Sequence, residues 1–208
     1  QKASQWELAV CLLSRVPHFN IMPDVFSYSA AISACEKRGQ WQCALSLLTA
    51  MLQLRTRPDV VGCSAVISAC GKGGQWQMAL ATLASMSDLR VTPNAITCNA
   101  AISACEKGGL WQCALALLAE MPQLHPTPDA TSFNAAISAC EKGGQWQGAM
   151  VLLSSMPAAH AMPDAVSFNA AISACEKGGQ WQHALALFDA MPTARATPAA
   201  ISFNAAIS

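Results

Sequence analysis

Asn134-Ala-Ala-Ile-Ser-Ala-Cys-Glu-Lys-Gly-Gly-Gln-Trp-Gln147 decides the fold, because the same fourteen residues return at 169–182. A copy with Leu110 in place of Gln runs from Asn99 to Gln112, and looser copies begin at Ser29 and Ser64. The period is 35 residues. Trp6, Trp41, Trp76, Trp111, Trp146 and Trp181 keep it, as do Pro23, Pro58, Pro93, Pro128, Pro163 and Pro198. Cys35, Cys70, Cys105, Cys140 and Cys175 keep it too, and no insertion breaks the register over 208 residues. A unit this short cannot bury its apolar face alone, so a fixed period of this size means stacked repeats.

Within the unit 165–199, Phe168, Ala171, Ile172 and Cys175 fall at i, i+3, i+4 and i+7, one apolar stripe at helical period. Ser167 is expected to cap this helix at its N-terminus. Gly178-Gly179 ends it, since Gly reaches the left-handed region without steric cost. A second helix starts near Gln180 and repeats the spacing with Trp181, Ala184, Leu185 and Phe188, with Met191 a turn further on. Pro192 and Pro198 stop either helix from running through the joint. Small residues on the first helix, Ala170, Ala171, Ala174 and Cys175, let neighbouring helices approach closely, so the bulk falls to the second. Burying a Leu contributes roughly 1.5–3 kcal/mol, and truncation of Leu185 is expected to cost more than any surface change.

The expected organisation is a partial repeat at 1–24, comprising a second helix over Trp6–Val16 and its joint. Full repeats follow at 25–59, 60–94, 95–129, 130–164 and 165–199, then the opening first helix of another at 200–208, all in one continuous solenoid. With no initiator Met and no polar capping repeat at either end, the chain reads as a segment of a longer array.

Composition narrows the function. The chain is 53% hydrophobic and only 12% charged, with zero net charge, against roughly 25% charged in ordinary domains. No apolar run approaches the ~20 residues of a membrane-spanning helix, so a membrane role is rejected. Neutrality argues against a strongly basic nucleic-acid clamp but leaves local stripes open. There is no CxxC pair, and His18, His125, His160 and His183 have no metal-like spacing. The ten cysteines read as small buried thiols in a reducing compartment rather than disulfides or zinc ligands. Neither a metal nor another cofactor is expected. No nucleophile has a base near it in sequence, and no HxE…CxxC site is present, so no enzymatic activity is expected within these residues.

Several helical-hairpin families exist, and 35 residues separates this one from the 34-residue tetratricopeptide repeat with its W-x2-L-G-x2-Y pattern. Here an aromatic or Cys is followed by Asn or Ser, then Ala-x-Ile-Ser-Ala-Cys-x-Lys-x-Gly. An x-x-Ala-Leu-x-x-Leu-x-x-Met helix and a Pro-Asp joint come after it. Phe168-Asn169…Lys177…Ala184-Leu185…Met191…Pro198 and Tyr28-Ser29…Lys37…Ala44-Leu45…Met51…Pro58-Asp59 are examples. Over essentially the whole chain this resembles the pentatricopeptide repeat family, with P-type 35-residue repeats. The resemblance implies an all-α, right-handed superhelical solenoid of helix-turn-helix repeats. It also implies a role in the chloroplast or mitochondrion and binding of single-stranded RNA at about one base per repeat. The chain departs from the family where Gln-Trp-Gln replaces acidic residues in the second helix, and where the joint lacks a basic, Gly-containing run.

The resemblance assigns base recognition to two slots. One lies early in each first helix (Ser29, Ser64, Asn99, Asn134, Asn169). The other follows the joint proline (Asp59, Asn94, Asp129, Asp164, Ala199). Amide, carboxylate and hydroxyl groups offer the donors and acceptors that a base edge needs. The pairs imply guanine for Ser29/Asp59, adenine for Ser64/Asn94, uracil for Asn99/Asp129 and Asn134/Asp164, and a pyrimidine for Asn169/Ala199, a 5′-GAUUY-3′ core. The alternative for the post-proline residues is a helix N-cap or Asx-turn. Phe26, Val61, Ile96, Thr131 and Val166, three residues before the first slot, are implied to sandwich bases; inter-repeat packing is their alternative. Lys37, Lys72, Lys107, Lys142 and Lys177 lie about two turns along the same helix and are implied to contact phosphates. Their alternative is a favourable charge at a helix C-terminus beside Glu36, Glu106, Glu141 and Glu176. Five phosphate contacts would give log K against log salt a slope of about −3.5 at most. The tryptophans share the apolar stripe of the second helix and read as packing, not stacking platforms.

The leading expectation is therefore a sequence-selective RNA-binding module in organellar RNA processing, stability or translation, with other RNA-processing proteins as further partners. A protein-binding helical scaffold is the rival, favoured by the neutral charge. A third reading is the RNA-recognition arm of a nuclease, such as a protein-only RNase P, whose catalytic domain lies outside this chain. No small-molecule substrate is expected.

Overall fold

The computed structural model describes residues 5–15, 23–124, 126–192, 194 and 196, and all regular elements among them are helical. α1 (Gln5–Arg15) comes first. Then α2 (Val25–Glu36) is followed by α3 (Trp41–Gln53), and α4 (Val60–Lys72) by α5 (Trp76–Asp88). The same alternation continues with α6 (Ala95–Lys107) and α7 (Trp111–Glu120), α8 (Ala130–Lys142) and α9 (Trp146–Ser155), and α10 (Ala165–Lys177) and α11 (Trp181–Ala190). Single 3-10 turns follow α7 and α9. The expected helix at 200–208, and Ala199 with it, lie outside the described residues.

The chain forms two compact units, residues 1–104 and 105–208. In the first, α2 packs against α1, α3 and α4, and α4 against α3 and α5. In the second, α8 packs against α7, α9 and α10, and α10 against α9 and α11. Each such first helix thus touches its own second helix, the second helix before it and a neighbouring first helix. That is how stacked hairpins bury stripes that one hairpin would leave wet. The core repeats with the sequence. Ile32, Ile67, Ile102, Ile137 and Ile172 are fully buried, as are Met51, Met86, Met121, Met156 and Met191. Small residues do bring first helices close: a Cβ on Gly71 would lie 3.1 Å from Cβ of Ala104.

Two local expectations change. Ser167 is not the N-cap of α10. Asp164 is, accepting from the Ser167 amide at 2.9 Å, while the Ser167 hydroxyl accepts from the Asp164 amide at 3.1 Å. This reciprocal capping box satisfies two otherwise orphaned amides, and Asp129 with Ser132 builds the same box on α8. Leu185 is also not a core residue. It is 40% exposed, and its counterparts Leu45, Leu80 and Leu115 are only half-buried. The stripe turns about the helix axis so that Ala184, Leu187 and Met191 face inward instead.

The Gly-Gly pairs at 73–74, 143–144 and 178–179 each serve two separate needs. The second glycine is left-handed, with φ of 66° at Gly144 and Gly179 and 72° at Gly74. The first has ordinary φ but no room: a Cβ on Gly143 would lie 2.4 Å from Cδ1 of Trp111, and one on Gly178 2.6 Å from Cδ1 of Trp146. Trp41, Trp111 and Trp146 therefore lie against the first glycine of the following hairpin, in line with a packing role, whereas Trp181 is exposed. Gly143→Ala is expected to destabilise by about 1–3 kcal/mol through overpacking, and Gly144→Ala by about 1–2 kcal/mol through strain. Combining each with Trp111→Ala in urea unfolding separates the causes. The Gly143 cost shrinks when the indole is gone, whereas the Gly144 cost adds independently.

Candidate nucleic-acid interface

Successive first helices bring together residues 30 positions apart in sequence. Asp59 caps α4, its Oδ1 accepting from the Gly62 amide at 2.8 Å, and the same oxygen accepts from the Ser29 hydroxyl of α2 at 2.8 Å. In the second unit Asp164 caps α10, and its Oδ1 accepts from Asn134 Nδ2 of α8 at 3.3 Å. The Ser167 hydroxyl lies within hydrogen-bond distance of both Asn134 Oδ1 and Asp164 Oδ1. Ser64 reaches Asn94 through one intermediary: Ser64 Oγ lies 2.7 Å from Thr97 Oγ1, which donates to Asn94 Oδ1 at 2.9 Å. The cap and the inter-repeat pair are thus one structure, because the residue that caps a first helix is the one the preceding first helix can reach.

The remaining slot residues sit as follows. Asn99 is half-buried on α6 and Asp129 caps α8; Asn169 is half-buried on α10. Ala199 is outside the described residues. Side-chain length sets the depth of the first slot. Ser29 and Ser64 are buried at 6% and 7% exposure, whereas Asn134 and Asn169 come further out. Burial opposes ionisation of Asp164, but the bonds from Ser167 and Asn134 outweigh it and hold the carboxyl below its ordinary range.

Three residues before the first slot, Phe26 is 80% exposed, Ile96 69%, Val166 60% and Val61 55%, and Thr131 is exposed as well. None of these side chains lies in the core. Val61 and Ile96 line an open groove of about 240 Å³ together with Ser64, Ala65, Ser68 and Asn94.

The lysines have partners that sequence spacing alone did not identify. Glu36 Oε1 accepts from Lys72 Nζ at 2.6 Å and from the Ser68 hydroxyl at 2.8 Å. Glu106 does the same with Lys142 and Ser138, and Glu141 with Lys177 and Ser173. Each glutamate therefore reaches across to the next first helix, 36 residues on, rather than to its neighbour in sequence. The available signal was the glutamate's own 35-residue periodicity, with its one break at Gly71, the position 36 before Lys107.

Burial works against the Glu36 charge, but the Lys72 and Ser68 bonds prevail and its carboxyl lies below the ordinary range. A depressed folded-state pKa contributes stability above the unfolded value, about 4.3, and loses it as pH falls through the folded one. Thermal stability is therefore expected to drop below about pH 4.3, and Glu36→Gln to flatten that acid limb in melts taken from neutral pH downward.

Among the described residues no group of His, Cys, Asp and Glu could hold a metal ion, and no helix is long and apolar enough to cross a membrane. The model for the pentatricopeptide repeat domain matches residues 11–73 and 85–144. That for the PPR repeat matches 131–159 and 166–195, and that for the PPR repeat family 58–107. No curated protein matches the chain. Among solved structures, the maize pentatricopeptide repeat protein PPR10 is 26% identical with a TM-score of 0.75 over 99% of this chain, which spans 30% of that one. PPR10 bound to an 18-nt psaJ RNA element matches at 22% identity and TM-score 0.59, over 98% of this chain and 33% of the other. The PPR domain of Arabidopsis thaliana protein-only RNase P 1 in complex with tRNA shares the fold at 12% identity and TM-score 0.72, covering 83% of this chain and 91% of that one.

Proposed function

Because this chain belongs to the pentatricopeptide repeat family, we propose that it binds single-stranded RNA sequence-selectively, about one base per repeat, in the processing, stability or translation of organellar transcripts. One observation carries the reading. Slot residues 30 positions apart meet on the first helices, within one turn of a ladder of exposed apolar side chains. A base inserted between Val61 and Ile96 would lie over the groove with its edge toward Ser64 and Asn94. The bonds to Asp59 and Asp164 fall on Oδ1, so in this reading Oδ2 meets the base. The core is 5′-GAUUY-3′, with the last position set by Asn169 and Ala199.

Lysines along the same helices supply phosphate contacts, unequally. Lys72, Lys142 and Lys177 hold glutamates, so a phosphate must share or displace that partner. Lys107 is exposed, and the position that supplies a glutamate to the others is Gly71, which has no carboxylate. Lys107→Ala is therefore expected to lower the slope of log K against log salt by about 0.7, and Lys142→Ala by less, in a salt titration of RNA affinity.

The test is fluorescence anisotropy at one stated salt concentration. Labelled single strands carrying GAUUC and GAUUU are compared with a scrambled strand and the matching duplex. Selective binding of the cored single strands is expected. Failure to bind any RNA at low salt overturns the reading and leaves a protein-binding scaffold.

A further inference from the structure

Eight residues after each periodic cysteine stand Cys43, Met78, Cys113, Gly148 and His183 in turn. At Gly148 the geometry of this position can be read directly. A Cβ there would lie 4.0 Å from Cβ of Cys140 and 3.2 Å from its Sγ. A disulfide needs Cβ atoms about 3.5–4.5 Å apart, and its S–S length of about 2.04 Å puts each Cβ roughly 3 Å from the opposite sulfur. The position after a first helix is therefore shaped for a disulfide wherever it carries a cysteine.

It does so twice, at Cys43 and Cys113, and the turn is the same in each hairpin. The amide of Gln145 donates to the Cys140 carbonyl at 2.8 Å, that of Gln40 to Cys35 at 3.0 Å, and that of Leu110 to Cys105 at 2.9 Å. All four cysteines are free thiols, with Cys35 and Cys105 buried and Cys43 and Cys113 half-buried. Burial, with a smaller contribution from the neighbouring cysteine, raises the Cys35 thiol and pushes Cys105 up to about 11.

The geometry points to Cys35–Cys43 and Cys105–Cys113 as two dithiol sites, each closing to a disulfide that ties the last turn of a first helix to the first turn of its second. The oxidant is a small-molecule disulfide of the glutathione type. The more accessible thiolate, Cys43 or Cys113, attacks one sulfur of it; that S–S bond breaks and one small thiolate leaves. The buried partner then loses its proton to water and attacks the mixed disulfide, expelling the second small thiol. The protein gives up two electrons and two protons per site, and the oxidant is reduced to two thiols. The hairpins with Met78, Gly148 and His183 have no second thiol at this position and stay reduced.

The experiment oxidises the full chain with glutathione disulfide, alkylates the remaining thiols and maps tryptic peptides with and without reductant. The expected result is two intrachain links, each lighter by two hydrogens, with four of the ten thiols protected. Cys43→Ser should remove only the first link and Cys113→Ser only the second. Gly148→Cys should add a third, to Cys140. Links that persist in these variants, bridges between chains, or glutathione adducts that never close overturn the proposal.

Discussion

Replacing Asn134 by Ser together with Asp164 by Asn should move the base preferred at that repeat from uracil to adenine. The double variant reproduces the pair Ser64/Asn94 on an almost unchanged scaffold, because Ser167 already stands where Thr97 links that pair. Asn134→Ser removes the amide that bonds to Asp164 and opens a recess like the one over Ser64. Asp164→Asn keeps the cap, since an Asn side-chain oxygen also accepts from N3, as Asn94 does from the Thr97 amide at 2.9 Å. Leaving a base donor or acceptor unpaired in a partly desolvated site costs about 1–3 kcal/mol, so relative affinity for the two strands should change by roughly 5- to 150-fold. Competition anisotropy with GAUUC against GAUAC reads this directly. A variant that loses both strands equally would show that the pair holds the helix and does not face a base.

Ile137→Ala is expected to be strongly destabilising. Ile137 is fully buried on α8, the helix that touches α7, α9 and α10, so a cavity there loosens three contacts at once. The expected cost is about 2–5 kcal/mol. Leu185→Ala, at a site already 40% exposed, should cost clearly less. In a stacked array, damage to one hairpin weakens its nearest-neighbour coupling, so urea unfolding of Ile137→Ala should be broader as well as earlier. Equal midpoints for the two variants would overturn the assignment of the core.

Much of the candidate site could be read from the chain because each slot sits at a fixed offset from a helix start. Pro128-Asp129 and Pro163-Asp164 mark where a first helix begins, and Asn134 and Asn169 follow at constant distance. What could not be read was the state of those groups. Asp164 was expected to be either a cap or a recognition residue, and the structure has it capping α10 while bonded to Asn134. The bond to Asn134 could not be read from the chain because it crosses to the preceding first helix. The lysines show the same limit. Glu141 stands beside Lys142 in the chain, yet it bonds Lys177 on the next first helix.

The sequence by itself determined the period, the alternation of two helices per unit, the breaks at Gly-Gly and Pro, and the residue types at every slot. These follow from local sterics and from a repeat that no insertion disturbs. Tertiary structure alone decided which side of each second helix is the core, placing Met191 inside and Leu185 outside. It also decided why Gly73, Gly143 and Gly178 must lack a Cβ, and which glutamate holds which lysine. The physical reason is common to all three. Each depends on a contact between residues about one repeat apart, and such a distance becomes short only when hairpins stack side by side.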